Sequence, residues 1–151
     1  MIIESTEKYL VAIYWLTQNS QIASTKAISE SLGYRESSVT RKVQALAKSS
    51  HLIYEYRRGV SLTKEGEQVA LLGIRKLGLL ETFLVGVLNY PPERATIEAS
   101  HMEYATSNLF VDRIEELLKR LDIELNTGSG FYLGGNRTFQ ELQTVNKNNS
   151  R

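Results

Sequence analysis

Ser37, Arg41, Gln44 and Lys48 recur at intervals of three to four residues. On a helix that spacing gathers them into one polar stripe, while Val39, Val43 and Leu46 form an apolar stripe on the opposite face. A pair of arginines, Arg57-Arg58, follows and is closed by Gly59. Serine and glutamine can hydrogen-bond base edges, arginine can fork onto guanine or phosphate, and lysine supplies a point charge. Together these residue types can recognise a nucleic-acid duplex. Competing chemistry is scarce. The chain has no Cys, which excludes a disulfide framework and any thiolate metal site and suits a reducing cytoplasm. His51 and His101 are its two histidines, and His51 has no acidic or nucleophilic pattern around it. Gly134-Gly135-Asn136 lacks the strand-to-helix context of a phosphate-binding loop. No enzymatic activity is expected.

The elements that must position these side chains can be read from periodicity and capping. A first helix is predicted over about Thr6 to Thr17, with Leu10, Ile13 and Tyr14 at helical spacing. Ser24 or Thr25 caps a second helix that buries Ile28 and Leu32, and Gly33 suits the left-handed position after its end. After a three-residue turn the third helix runs from Glu36 to Lys48 and carries the two stripes. Glu36 complements its dipole. A β-hairpin pattern covers Leu52 to Leu62, with Arg57-Arg58-Gly59 at its tip. Two helices joined by a tight Gly turn and followed by a basic-tipped hairpin read as a winged helix-turn-helix. Such a unit inserts one helix in the DNA major groove and lays the wing on the backbone. The residues expected to touch DNA are Lys26, Arg35, Ser37, Ser38, Thr40, Arg41, Lys42, Gln44, Arg57 and Arg58.

Thr63 is the expected N-cap of a long helix, about Lys64 to Asn89, whose apolar stripe is Val69, Leu72, Leu80, Phe83, Leu84 and Val87. Pro91-Pro92 stop it, and Pro92 can open a helix that runs to about Ala105. Ser107 caps a last helix with Ile114, Leu117, Leu118 and Leu121 inward. The fold class expected is mainly α: a winged helix-turn-helix domain over 1–66, a helical dimerisation domain over 67–125, and a polar tail over 126–151 expected to be disordered.

The formal charge of +1 conceals an asymmetry. Residues 25–64 carry eight Lys or Arg against three Glu, a net of +5, and residues 67–125 carry six against ten Asp or Glu, a net of −4. The positive half coincides with the helix-turn-helix pattern, as contact with phosphate requires. No apolar run approaches ~18 residues and the N-terminal segment lacks the basic and apolar regions of a signal peptide, so neither a membrane partner nor export is expected. The leftover apolar stripe of the helical half is expected to bury itself against a twin. The expected partners are therefore a double-stranded DNA operator and a second copy of the chain.

Tyr9-Leu10-Val11-Ala12-Ile13-Tyr14-Trp15-Leu16, the helix Ser37 to Leu46, the wing Leu52 to Glu67 and Leu79-Leu80-Glu81-Thr82-Phe83-Leu84 resemble the iron- and manganese-dependent repressors. That group includes the diphtheria toxin repressor and the manganese transport regulators. The resemblance covers roughly residues 4–121 and is to the short, manganese-type form. It implies a homodimeric winged-helix regulator in which Mn²⁺ or Fe²⁺ binds between the DNA-binding and dimerisation regions and activates operator binding.

The family's ligand positions are largely altered. Lys8 stands where the resemblance puts the first ligand of helix one, Val11 where manganese-type members have Glu, and Leu77 where they have His. In Ser100-His101-Met102-Glu103-Tyr104, Ser100 and Tyr104 replace two further ligands and Glu103 is kept. Thr96 falls at the additional His of iron-type members, and Glu81 is kept. Mn²⁺ and Fe²⁺ take about six oxygen or nitrogen donors. Val11 and Leu77 supply none, and Lys8 adds positive charge. No cofactor is expected, with Glu81, Glu98, His101 and Glu103 the residual metal candidates. A Lys8–Glu103 ion pair could instead do permanently what the metal does conditionally. The function expected is a sequence-specific transcriptional regulator of the repressor type that has lost metal control. The alternatives are a Mn- or Fe-responsive repressor with a remodelled site and, more remotely, a protein-interaction adaptor without DNA, against which Arg41, Lys42, Arg57 and Arg58 argue.

Overall fold

The computed structural model describes residues 2–125, with side chains from residue 6 onward. The expected disordered tail over 126–151 lies outside them. The elements in order are α1 (Ile2–Leu16), α2 (Thr25–Leu32), α3 (Glu36–Lys48), β1 (Leu52–Glu55), β2 (Gly59–Leu62), α4 (Lys64–Gly86), α5 (Pro92–Met102) and α6 (Asn108–Arg120). The fold is mainly α with one small hairpin, as the sequence indicates. Contacts divide the chain within α4 into two compact units, at Gly73–Ile74.

The first unit is built around α1. Tyr9, Leu10, Val11, Ala12, Ile13 and Trp15 are all buried, so this helix is apolar nearly all round rather than along one stripe. It packs against α2 and β2, while α3 packs against α2 and β1. Ile28, Val39, Val43, Leu46, Leu52 and Val60 complete the core. In the hairpin Leu52 pairs with Leu62, Ile53 with Ser61, Tyr54 with Val60 and Glu55 with Gly59. Ala23, in the connection between α1 and α2, bridges Val60 through two hydrogen bonds of 2.8 Å. That bridge ties the wing to the helical core. Thr63 caps α4, its hydroxyl accepting from the Gly66 N–H at 3.1 Å and donating to the Ser50 carbonyl at 2.6 Å. Gly66 lets the first turn of α4 lie directly on the His51 carbonyl.

In the second unit Ile74, Leu77, Leu79, Leu80 and Leu84 of α4, Ala95 and Ala99 of α5, and Val111, Ile114 and Leu118 of α6 are buried. Arg75 of α4 and Glu115 of α6 form an ion pair, and Lys119 joins it from one turn along α6 at 3.3 Å. Glu115 is held below the usual carboxylate range by its bond to Lys119, with Arg75 adding to the effect. Ser107 caps α6, accepting from the Phe110 N–H at 3.2 Å.

Several expectations need correction. α1 begins at Ile2, not near Thr6. α4 ends at Gly86, not Asn89. The N–H groups of Val87 and Leu88 both turn back to the Phe83 carbonyl, and Asn89 adopts a left-handed φ of 58°. The helix is thus closed by its own C-terminal turn before the prolines act. α5 ends at Met102 rather than Ala105, because Ala105 and Thr106 both donate to the Met102 carbonyl in a tight turn. Leu121 is not inward: it is 51% exposed. Leu32 and Leu117 are half-buried rather than core residues.

A methyl group at residue 66 would overlap the His51 carbonyl oxygen, which is backbone and cannot swing aside. Gly66→Ala is therefore expected to destabilise the chain by about 1–3 kcal/mol. A lowered urea midpoint with an unchanged m-value checks it; an unchanged midpoint contradicts this packing.

Candidate nucleic-acid interface

The turn before α3 is set by its neighbours. The Ser24 hydroxyl accepts from the Ala27 N–H at 3.0 Å and opens α2. Gly33 closes it at φ 69° in the left-handed region, where a side chain would be strained. The Ser29 carbonyl accepts from Gly33 N–H at 2.9 Å and Tyr34 N–H at 3.2 Å, and the Ser29 hydroxyl donates to the Tyr34 carbonyl at 2.5 Å. Glu36 accepts from the Thr25 hydroxyl at 3.1 Å, which joins the starts of α2 and α3. Arg35 is the extended N-cap residue of α3 and makes no side-chain cap bond.

On α3 the two stripes separate as their spacing implies. Val39, Val43 and Leu46 are buried; Ser37, Ser38, Arg41, Gln44 and Lys48 are exposed. Lys26 and Arg35 are exposed on the same helix-turn-helix. Thr40 and Lys42 are half-buried. Lys42 lies on the flank toward α1, where its Nζ donates to the Thr6 hydroxyl at 3.4 Å.

The wing tip is more ordered than a pair of arginines suggests. Arg57 sits at a left-handed φ of 64° with its guanidinium 5.3 Å from the Tyr56 ring centroid. Arg58 N–H donates to the Glu55 carbonyl at 3.0 Å, and its guanidinium pairs with the Glu55 carboxylate at 3.2 Å. Tyr56 is 75% exposed, and it is a candidate contact that the sequence reading passed over. An aromatic residue adjoining two arginines at a hairpin tip was the available signal. Arginine held over an aromatic face loses less freedom when it meets a phosphate or a groove.

The residual metal candidates are not drawn into one cluster. Glu81 and Glu103 are buried, whereas Glu98 and His101 are exposed along α5. Among the described residues no three His, Asp or Glu side chains come together as a metal site would need. Val11 and Leu77 are buried apolar residues. The Ser100 hydroxyl donates to the Ile97 carbonyl at 2.6 Å. The Lys8 ammonium lies 5.3 Å from the Tyr34 ring centroid. Lys8 and Glu103 belong to different units.

Two family models match this chain. Residues 1–60 match the N-terminal DNA-binding domain of iron-dependent repressors, and residues 63–125 match their metal-binding and dimerisation domain. The transcriptional regulator MntR of Lysinibacillus sphaericus is 34% identical over 118 residues, which cover 78% of this chain and 84% of that protein. MntR of Bacillus subtilis is 34% identical over 115 residues, 76% of this chain and 80% of its own. The structure of the manganese regulator SloR superposes with a TM-score of 0.66 at 32% identity. That likeness covers 76% of this chain and 53% of the SloR chain, so this chain spans about half of SloR's length.

Arg41 lies in the exposed α3 stripe and Arg58 on the wing. Arg41→Ala and Arg58→Ala are each expected to weaken duplex binding by about 1–3 kcal/mol, and to reduce the salt slope by about one wherever the lost contact was to phosphate. Fluorescence anisotropy across a salt series reads both effects; wild-type curves for both variants would remove this interface.

Proposed function

The chain belongs to the iron-dependent repressor family and is a DNA-binding transcriptional regulator, and we propose that it binds its operator without a divalent metal. The observation that carries this reading is the chemistry of the donor set. Of the positions that match the family's ligand motif, five hold an ammonium, two buried hydrocarbons, a serine hydroxyl and a phenol, and the carboxylates Glu103 and Glu81 are kept. A hard dication needs oxygen and nitrogen donors, most of them anionic or carbonyl. The set present does not fit one, and no step of DNA binding is routed through a metal. The mechanism needs only this chain's own residues. Val39, Val43 and Leu46 anchor α3 in the core. Ser37, Arg41 and Gln44 are then offered to base edges and phosphates, and Arg57 and Arg58 to the adjoining backbone.

The retained, buried Glu81 and Glu103 favour the second reading, a remodelled metal site. The two readings separate on one experiment: operator binding and Mn²⁺ calorimetry on the same preparation. The expected outcome is duplex binding unaffected by chelator and no Mn²⁺ isotherm tighter than about micromolar. A micromolar or tighter Mn²⁺ isotherm, coupled to chelator-sensitive loss of DNA affinity, would establish metal control.

Binding as a homodimer follows the family's pattern, in which two recognition helices meet two half-sites. The second unit leaves Ile97, Leu109, Phe110 and Leu121 exposed at 45%, 62%, 40% and 51%. These apolar side chains, not the buried Leu84, are the ones a twin can cover. Phe110→Glu is expected to shift the mass measured by light scattering toward monomer while the circular dichroism of the helices is kept. A wild-type chain that is monomeric at about tens of micromolar would refute the dimer.

A further inference from the structure

The Lys8 ammonium lies 5.3 Å from the Tyr34 ring centroid, inside the ~6 Å over which a cation is attracted by the negative face of an aromatic ring. The Tyr34 ring in turn lies 5.9 Å from that of Tyr9, tilted by 32°. Tyr9 is 4% exposed, and burial followed by the neighbouring Tyr34 pushes its phenol above the usual range. The ring pair is thus anchored in the core on one side and meets a cation on the other. All three residues belong to the first unit.

Tyr34 occupies a sensitive place. It is the one residue between left-handed Gly33 and Arg35, the N-cap of α3. Both of its backbone polar groups are held by Ser29. A side chain fixed at this point fixes the direction in which α3 leaves α2. Lys42 touches the same helix α1 further along α3, through Thr6. The recognition helix is therefore referenced to α1 at its start and again along its length.

We propose that Lys8 and Tyr34 are positioning residues for DNA recognition: their cation–π contact braces α1 against the turn that launches α3, and so sets the pose of Ser37, Arg41 and Gln44 without touching DNA. The inference rests on the DNA-binding reading above and assigns Lys8 a partner other than Glu103. It needs no ion and no contribution from the second unit. The exposed edge of Tyr34, at 40%, keeps the contact partly wet, so its effect is moderate.

The test uses the full chain and labelled duplexes tiled across the DNA upstream of its own gene. Lys8→Met keeps the stem and removes the charge; Tyr34→Leu removes the ring. Each is expected to weaken binding about 2- to 5-fold, the range an exposed cation–π contact supports. Lys8→Arg and Tyr34→Phe are expected to bind like wild type, because a guanidinium still meets a ring and a ring still meets a cation. The double variant Lys8→Met/Tyr34→Leu is expected to be no weaker than either single one, as for two halves of one contact. The salt slope is expected to stay at the wild-type value in all of them, whereas loss of a phosphate contact would lower it by about one. Measurement below each variant's thermal transition keeps lost folding separate from lost affinity. Additive losses, a lowered slope for Lys8→Met, Tyr34→Phe failing like Tyr34→Leu, or coupling of Lys8 to Glu103→Gln instead of Tyr34→Leu would each overturn the brace. Failure of the wild-type chain to bind any duplex at low salt would strike the DNA-binding reading itself, and the brace's role with it; failures confined to the variants leave that reading intact.

Discussion

The left-handed turn at Gly33 is the constraint on which the DNA-facing half depends. Three hydrogen bonds from one residue, Ser29, close α2 and hold Tyr34. With that turn fixed, α3 has one approach to the core, and Val39, Val43 and Leu46 bury themselves along it. Because apolar and polar residues on α3 alternate at helical spacing, fixing the inner face fixes the outer one. The exposed row of Ser37, Arg41 and Gln44 is therefore a consequence of packing, not an independent choice. The wing obeys a similar rule. The Ala23–Val60 bridge sets where the hairpin lies, and the Glu55 contacts of Arg58 set how its tip is held.

This half was legible in the sequence because its signals are local. An N-cap at Ser24 or Thr25, which the fold resolves as Ser24, Gly33 as left-handed terminator, and the span Glu36–Lys48 are all written within one helical turn of where they act. The ends of α4 and α5 differ from the sequence expectation because their closing turns compete with more obvious stop signals. Pro91-Pro92 are the most obvious stop in the sequence, but α4 ends at Gly86 and Asn89 adopts the left-handed conformation before the prolines are reached. Leu121 fits a 3.6-residue period and still lies exposed, since periodicity identifies a stripe without stating how wide a surface covers it.

The candidate interface was legible only in part. Exposed Arg41 and Gln44 follow from the stripe. The stacking of Arg57 on Tyr56 does not, because the hairpin pattern puts Arg57-Arg58-Gly59 at the tip, whereas β1 ends at Glu55 and Tyr56 belongs to the turn. The contact between Lys8 and Tyr34 is harder still. It joins two elements far apart in sequence, and neither residue carries a periodic or capping signature that points at the other. From sequence alone Lys8 reads as an intruder among metal ligands; the ring it faces is visible only once the chain is folded.

A metal and a side-chain cation differ in what they can report. A bound ion stabilises the state it prefers by an amount that grows with its free concentration, so it converts supply into occupancy. An ammonium tethered at Lys8 is present at fixed effective concentration and can bias a conformation only by a constant. Its contact with an aromatic ring is also weaker than a full ligand sphere, on the order of 0.5–1 kcal/mol where water has access. A chain that exchanged the first for the second would keep the pose of its recognition helix and lose the dependence on metal supply. Its DNA occupancy would then follow its own concentration, twice over where two copies must first meet.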